Sequence, residues 1–239
     1  MRGIKSLDLA LIIAGAPGAR RKAFIFDLVS KLQEYCAKHH RRLGSGLSKS
    51  QEGQTSATAL RSTASMSIPT ISPAQANQLT SLCRPLIVRG GAAHWPAATK
   101  WRNLSYIQRL AGPGRCVPIE VGHSYTSATW TQRIMPFDEF LGHLIDPSMA
   151  TGEVLYLAQY NLFSQIPELR NDIAVPDQVY TILPESSSYQ PPSTSDGLDI
   201  NAWLGPKGTT SPAHTDPYFN AFGKQRNVLR SASHPNALI

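Results

Sequence analysis

A chain of 239 residues can hold one all-β domain, or one domain with a helical extension. Its 41% hydrophobic and 16% charged residues suit a soluble globular protein, and 18 prolines with 17 glycines favour short strands and turns over long helices. The formal charge of +7 is not spread along the chain: residues 1–70 hold 11 Lys and Arg against 4 Asp and Glu, and the remainder holds 12 of each, which excludes basicity as a property of the later domain.

The basic segment reads as a solvated arm, with a weak anionic partner as the alternative. Cys36, Cys83 and Cys116 are odd in number and far apart. They offer neither a C-x-x-C zinc spacing nor an even disulfide framework, and so point to a reducing compartment.

In chain order, Met1–Ala19 combines a basic start with an apolar stretch that Asp8 interrupts and Arg20-Arg21-Lys22 follows. The reading is an ordinary helix. A secretory signal and a mitochondrial transit peptide are the alternatives, and about ten apolar residues are too few to span a bilayer. From Arg21 to Arg42, Phe24, Ile25, Leu28, Val29, Leu32, Tyr35 and Cys36 recur at helical spacing, with Phe26 just outside that face. His39-His40-Arg41-Arg42 reads as a solvated helix end rather than a metal site. Residues 44–67 read as a flexible Ser/Thr/Gly-rich linker after the basic helical segment 1–43.

A helix is expected over Pro73–Cys83 with Ser72 as its cap, and strands over Arg84–Gly90, Cys116–Gly122 and Val154–Tyr160. Pro118 hints that its strand lies at an edge. Leu104–Leu110 is expected to be helical and to stop at Gly112-Pro113-Gly114, and Met135–Ile145 carries Phe137, Phe140, Leu141 and Leu144 at helical spacing. Pro184–Ser195 reads as a surface loop, and Trp95, Trp101 and Trp130 as packing residues. There is no G-x-G-x-x-G, P-loop, internal repeat or heptad run.

The chemistry gathers in Asp199–Asn220. Ile200, Ala202 and Leu204 alternate with Asn201 and Trp203, the period-2 pattern of a half-buried strand. Gly205-Pro206-Lys207-Gly208 supplies a turn. A second extended run is then expected to carry His214 and Asp216 on one face, two thirds of a two-histidine, one-carboxylate facial triad for non-haem iron(II). Asn220, four residues on, would keep the same face if the strand continued. Ser211 has the opposite parity to His214, with Pro212 as the irregularity that reorients it.

The runs P-L-I-V-R-G-G-A-A-H-W-P-A, W-R-N-L-S-Y-I, V-P-I-E-V-G, Y-L-A-Q-Y-N-L-F and I-N-A-W-L-G-P-K-G-T-T-S-P-A-H-T-D, in that order from about Ile68 to Asn220, resemble the JmjC-domain oxygenases of the small hydroxylase type. The resemblance implies an α+β chain in which the helical segment precedes a double-stranded β-helix of the cupin, jelly-roll kind. Iron(II) and the cosubstrate 2-oxoglutarate would lie inside that barrel. It further implies hydroxylation of a protein side chain or demethylation of a histone tail, and, weakly, a nuclear or cytoplasmic location. Carried across by motif, His214 and Asp216 would ligate the metal. Tyr156 and Ser211 would hold the 2-oxoglutarate carboxylate with Asn220 as a further polar contact, and Asn201 and Trp203 would line the pocket. Tyr156 as a plain core tyrosine stands beside that role.

The family pattern continues with more strands, a cosubstrate lysine and a distal histidine. Here residues after Phe222 read G-K-Q-R-N-V-L-R-S-A-S-H-P-N-A-L-I. The partial domain is therefore expected over 68–222 with a divergent tail over 223–239. Lys224 is the candidate 2-oxoglutarate anchor out of register, and no strand brings His234 to the metal. The expected result is a truncated barrel with an incomplete triad and impaired catalysis. The alternatives are a non-catalytic interaction module with a basic arm, or the product of a truncated gene model.

Overall fold

Two N-terminal helices, α1 (Arg2–Ala14) and α2 (Ala19–His39), are followed by alternating short strands and helices in a computed structural model. It describes residues 1–15, 19–39, 68–78, 85–146, 152–180, 198–206, 209–212, 214 and 216–224. The expected linker 44–67, the loop 184–195, the later part of the Pro73–Cys83 helix and His234 lie outside these residues.

The first helix buries Ile4 and Asp8 completely. Asp8 is thus not a flaw in an apolar run. Its carboxylate accepts two hydrogen bonds from Arg115, both 2.9 Å, and a third of 2.9 Å from the Cys116 backbone N–H. In α2, Val29 is buried, but Phe24 and Tyr35, expected on the apolar face, are 66% and 60% exposed. Gln33 donates through Nε2 to the carbonyls of Ala111 (2.8 Å) and Pro113 (3.2 Å). The close approach depends on Gly112, whose φ of 67° favours glycine and whose missing Cβ would lie 2.6 Å from Gln33 Nε2.

Thr70–Ile71 (β1) pairs in parallel with Ile87–Val88 (β2), the short remnant of the strand expected over Arg84–Gly90. Between them Ser72 closes a capping box with Gln75 at the start of α3 (Pro73–Ala76). Then come α4 (Ala97–Lys100) and α5 (Leu104–Ala111), where the expected helix falls. The main sheet has four antiparallel strands in the order β4 (Thr131–Pro136), β3 (Cys116–Val121), β5 (Leu155–Tyr160) and β6 (Ala202–Leu204). Pro118 therefore sits in an inner strand, a correction to the edge expectation. The β5 partner joins only at Glu120 and Val121, however, so no β5 pairing calls for an N–H at position 118. Met135 belongs to β4, and the helix begins after it as α6 (Phe137–Ile145). α7 (Leu162–Gln165) and α8 (Pro167–Arg170) follow β5.

Val117, Ile119, Phe137, Phe140, Leu157 and Ile166 lie at the centre of the core, each at most 1% exposed. Ile200, Ala202 and Leu204 pack against it while Trp203 faces outward, as the alternation predicts. At Gln159 the backbone takes a φ of 47°, and the β5–β6 register shifts between Leu157 and Tyr160. This bulge turns the end of β5 away from regular pairing. No helix among the described residues is long and apolar enough to cross a membrane.

Candidate metal centre

The sheet delivers Tyr156 on β5 and the chain leaving β6 to one place. Gly205 lies so close to Tyr156 that an added Cβ would sit 2.6 Å from ring atom Cδ2. Burial pushes the Tyr156 hydroxyl above its usual range, and the neighbouring Ser211 hydroxyl offsets part of that rise. Gly205→Ala is expected to displace the ring and cost about 1–3 kcal/mol, read from thermal melts.

A second strand was expected beyond Ser211, and the described residues of 209–216 form no ladder. His214 and Asp216 nevertheless converge, with His214 Nε2 3.5 Å from Asp216 Oδ1. Local contacts produce this rather than strand parity. His214 Nδ1 lies 2.7 Å from the Pro212 carbonyl oxygen. A carbonyl only accepts, so Nδ1 carries a hydrogen, and Nε2 is the ring atom turned toward Asp216. Asn220 Nδ2 donates to Asp216 Oδ2 at 2.7 Å across the bend at Pro217-Tyr218. Asn220 thus orients the carboxylate.

Nε2 and Oδ1 therefore face one another at the exposed end of the site, as a His–Asp ion pair when the ring is protonated and as two neighbouring acceptors when it is neutral. Metal–ligand bonds of about 2.1 Å at right angles place neighbouring donors about 3.0 Å apart, so the pair is spaced as adjacent ligands of an octahedral cation need only a small closure. The tethered second nitrogen and the hydrogen-bonded second oxygen are the outer-shell contacts that metal ligands characteristically have. The residues fit two positions of an iron site. Among the described residues no cluster of three or more His, Cys, Asp or Glu supplies a third.

Tyr125 is a participant that sequence reasoning missed. Its ring meets His214 edge-on at 6.3 Å between centroids, and its hydroxyl donates to the same Pro212 carbonyl at 3.4 Å. Asn201 is half-buried beside β6, and Trp203 is exposed with its ring 5.7 Å from Phe222. Gly223 rests on the Trp95 indole. Lys224 is exposed and makes no ion pair among the described residues. Partial desolvation draws its ammonium below the usual lysine range.

A family model for the cupin-like domain matches residues 72–224, which take in β2 to β6 and the His214–Asp216 pair. The chain belongs to the cupin-like family. Within it this cupin-like chain is similar to JmjC proteins. It is 37% identical over 188 residues to the Jumonji C domain-containing protein 5 of Drosophila melanogaster, covering 74% of this chain and 45% of that protein. It is 46% identical over 138 residues to lysine-specific demethylase 8 of Xenopus tropicalis (57% and 28%), and 40% identical over 136 residues to lysine-specific demethylase JMJ30 of Arabidopsis thaliana (57% and 29%). The cupin-like chain matches less than half the length of each of these relatives. The α+β architecture, helices with an antiparallel sheet, agrees with a cupin-like domain.

Proposed function

We propose that this chain carries part of the active site of a JmjC-type iron(II)- and 2-oxoglutarate-dependent oxygenase, a protein hydroxylase or lysine demethylase. One observation carries the reading: His214 Nε2 and Asp216 Oδ1 converge to 3.5 Å while each residue's second polar atom is tied back by Pro212 and Asn220. The names of two similar proteins, lysine-specific demethylases, favour a protein substrate.

In this reading the four-stranded sheet is one part of a double-stranded β-helix. His214 and Asp216 hold the metal, and Tyr156 with Ser211 offers paired hydroxyls to the 2-oxoglutarate carboxylate. Asn201 and Trp203 line the approach. Burial keeps the Tyr156 hydroxyl protonated, so it donates rather than repels a carboxylate. When bound, iron(II) would supply the centre that activates oxygen. The third protein donor of the facial set is not among the described residues.

Succinate release from 2-oxoglutarate, with iron(II), ascorbate and lysine- or arginine-containing peptides, tests the reading. His214→Ala and Asp216→Ala are each expected to abolish peptide-dependent release. Release equal to wild type in His214→Ala would refute it. Asn220→Ala, which frees the outer carboxylate oxygen, is expected to lower iron(II) affinity by about 10–100-fold.

A further inference from the structure

We propose that Tyr125, on the loop between β3 and β4, is a positioning residue that holds His214 ready for a metal ion it never touches itself. The inference rests on the reading of His214 and Asp216 as metal ligands.

His214 stands on a stretch that forms no ladder among the described residues, so no sheet pairing fixes its ring. The β3–β4 loop takes over that task. The Thr210 N–H donates to the His123 carbonyl at 3.1 Å, and the Tyr125 hydroxyl donates to the Pro212 carbonyl at 3.4 Å. A carbonyl oxygen has two lone pairs, and the other one at Pro212 accepts from His214 Nδ1 at 2.7 Å. Tyr125 thus secures the carbonyl that in turn secures the imidazole. Its ring also meets the imidazole in a T-shaped contact, with centroids 6.3 Å apart and planes at 79°, which limits rotation on that side.

The loop is braced for this role. It springs from the β3–β4 ladder, which is paired without a break from Cys116–Pro136 to Val121–Thr131. Beyond the ladder the Ser127 N–H donates to the Ser124 carbonyl at 3.0 Å and the Trp130 N–H to the Ser127 carbonyl at 3.1 Å, making two successive turns. Hydroxyl pairs Ser124–Thr126 (2.9 Å) and Ser127–Thr129 (3.0 Å) stiffen both. Tyr125 is 41% exposed and lies outside the hydrophobic core, so its effect on His214 is separable from any effect on the fold. Contacts that orient a metal ligand through its second atom govern affinity for the ion, and Tyr125 acts one contact further out.

The test uses the full chain and two readouts. The first is affinity for manganese(II), a stand-in for iron(II), followed by loss of the free ion's paramagnetic resonance signal. Tyr125→Phe, which keeps the ring and drops the hydroxyl, is expected to bind about threefold more weakly, and Tyr125→Ala about tenfold, with both melting like the wild type. The second readout needs no metal: ring nitrogen spectra of 15N-histidine-labelled protein in alkaline buffer, where histidine rings are neutral. The His214 signal, identified by its loss in His214→Ala, should show the Nδ1–H tautomer in the wild type and a mixture in Tyr125→Ala. A tautomer pattern or a manganese affinity unchanged in Tyr125→Ala would overturn the inference and leave the ligand reading standing. Loss of affinity accompanied by a fall in melting temperature in both Tyr125 variants would assign the residue to the fold and overturn it as well. Manganese binding absent from the wild type, or undiminished in His214→Ala, would overturn the ligand reading and the inference with it.

Discussion

Asp8→Ala is expected to destabilise the folded chain by about 3–5 kcal/mol, a large share of the roughly 5–15 kcal/mol that holds a typical domain together. Both partners of the Asp8–Arg115 pair are buried, at 0% and 5% side-chain exposure, and the geometry is bidentate. Removing the carboxylate strands a guanidinium that has no water to retreat to, and also orphans the Cys116 N–H. The cost comes from the uncompensated charge, not from any large net gain of the pair itself. A double replacement, Asp8→Leu with Arg115→Met, is therefore expected to recover most of the loss. Urea unfolding of the three variants checks this. A cost for Asp8→Ala below about 1 kcal/mol, in the range of a surface pair, would show that the charge is solvated.

Asp172→Ala is expected to cost about 2–4 kcal/mol. Its buried carboxylate accepts from Lys100 Nζ (2.7 Å), Trp101 Nε1 (3.1 Å) and the Tyr106 hydroxyl (2.8 Å), tying α4 and α5 to the turn after α8. Burial alone would raise the Asp172 carboxyl, but bonds from Lys100, Tyr106 and Trp101 together bring it below its usual range. A carboxyl lowered by folding contributes stability that is present above its unfolded value near pH 3.9 and is lost as pH falls through the folded value. The gap in melting temperature between wild type and Asp172→Asn should accordingly be constant above about pH 5 and narrow below about pH 4. A gap independent of pH down to 2 would contradict the assignment.

Much of this was readable from local pattern. The β3 and β5 runs, the helices at Leu104 and Phe137, the Ser72 cap and the alternation around Trp203 all follow from periodicity and capping chemistry acting within a few residues. β4 escaped because its first half, Thr131-Gln132-Arg133, is exposed and polar, and only Met135 reaches the core. Asp8 was legible as an anomaly but not as a partner, since nothing local links it to a residue 107 positions away. At the candidate metal centre His214, Asp216, Tyr156 and Ser211 were singled out by motif. Their geometry was not legible there, because it rests on the Pro212 carbonyl, the bend before Asn220 and the Tyr125 ring rather than on a continuous strand.

The buried Asp8 carboxylate also bears on where this protein can be cut. A fragment trimmed to the family match, residues 72–224, would keep Arg115 and discard its counter-ion, together with Gln33, which satisfies two carbonyls at the end of α5. The physical unit therefore reaches further toward the N-terminus than the family match does. Workable expression boundaries for this cupin-like domain include the first helix, and supplying residues 1–39 in trans should rescue the solubility of the trimmed fragment.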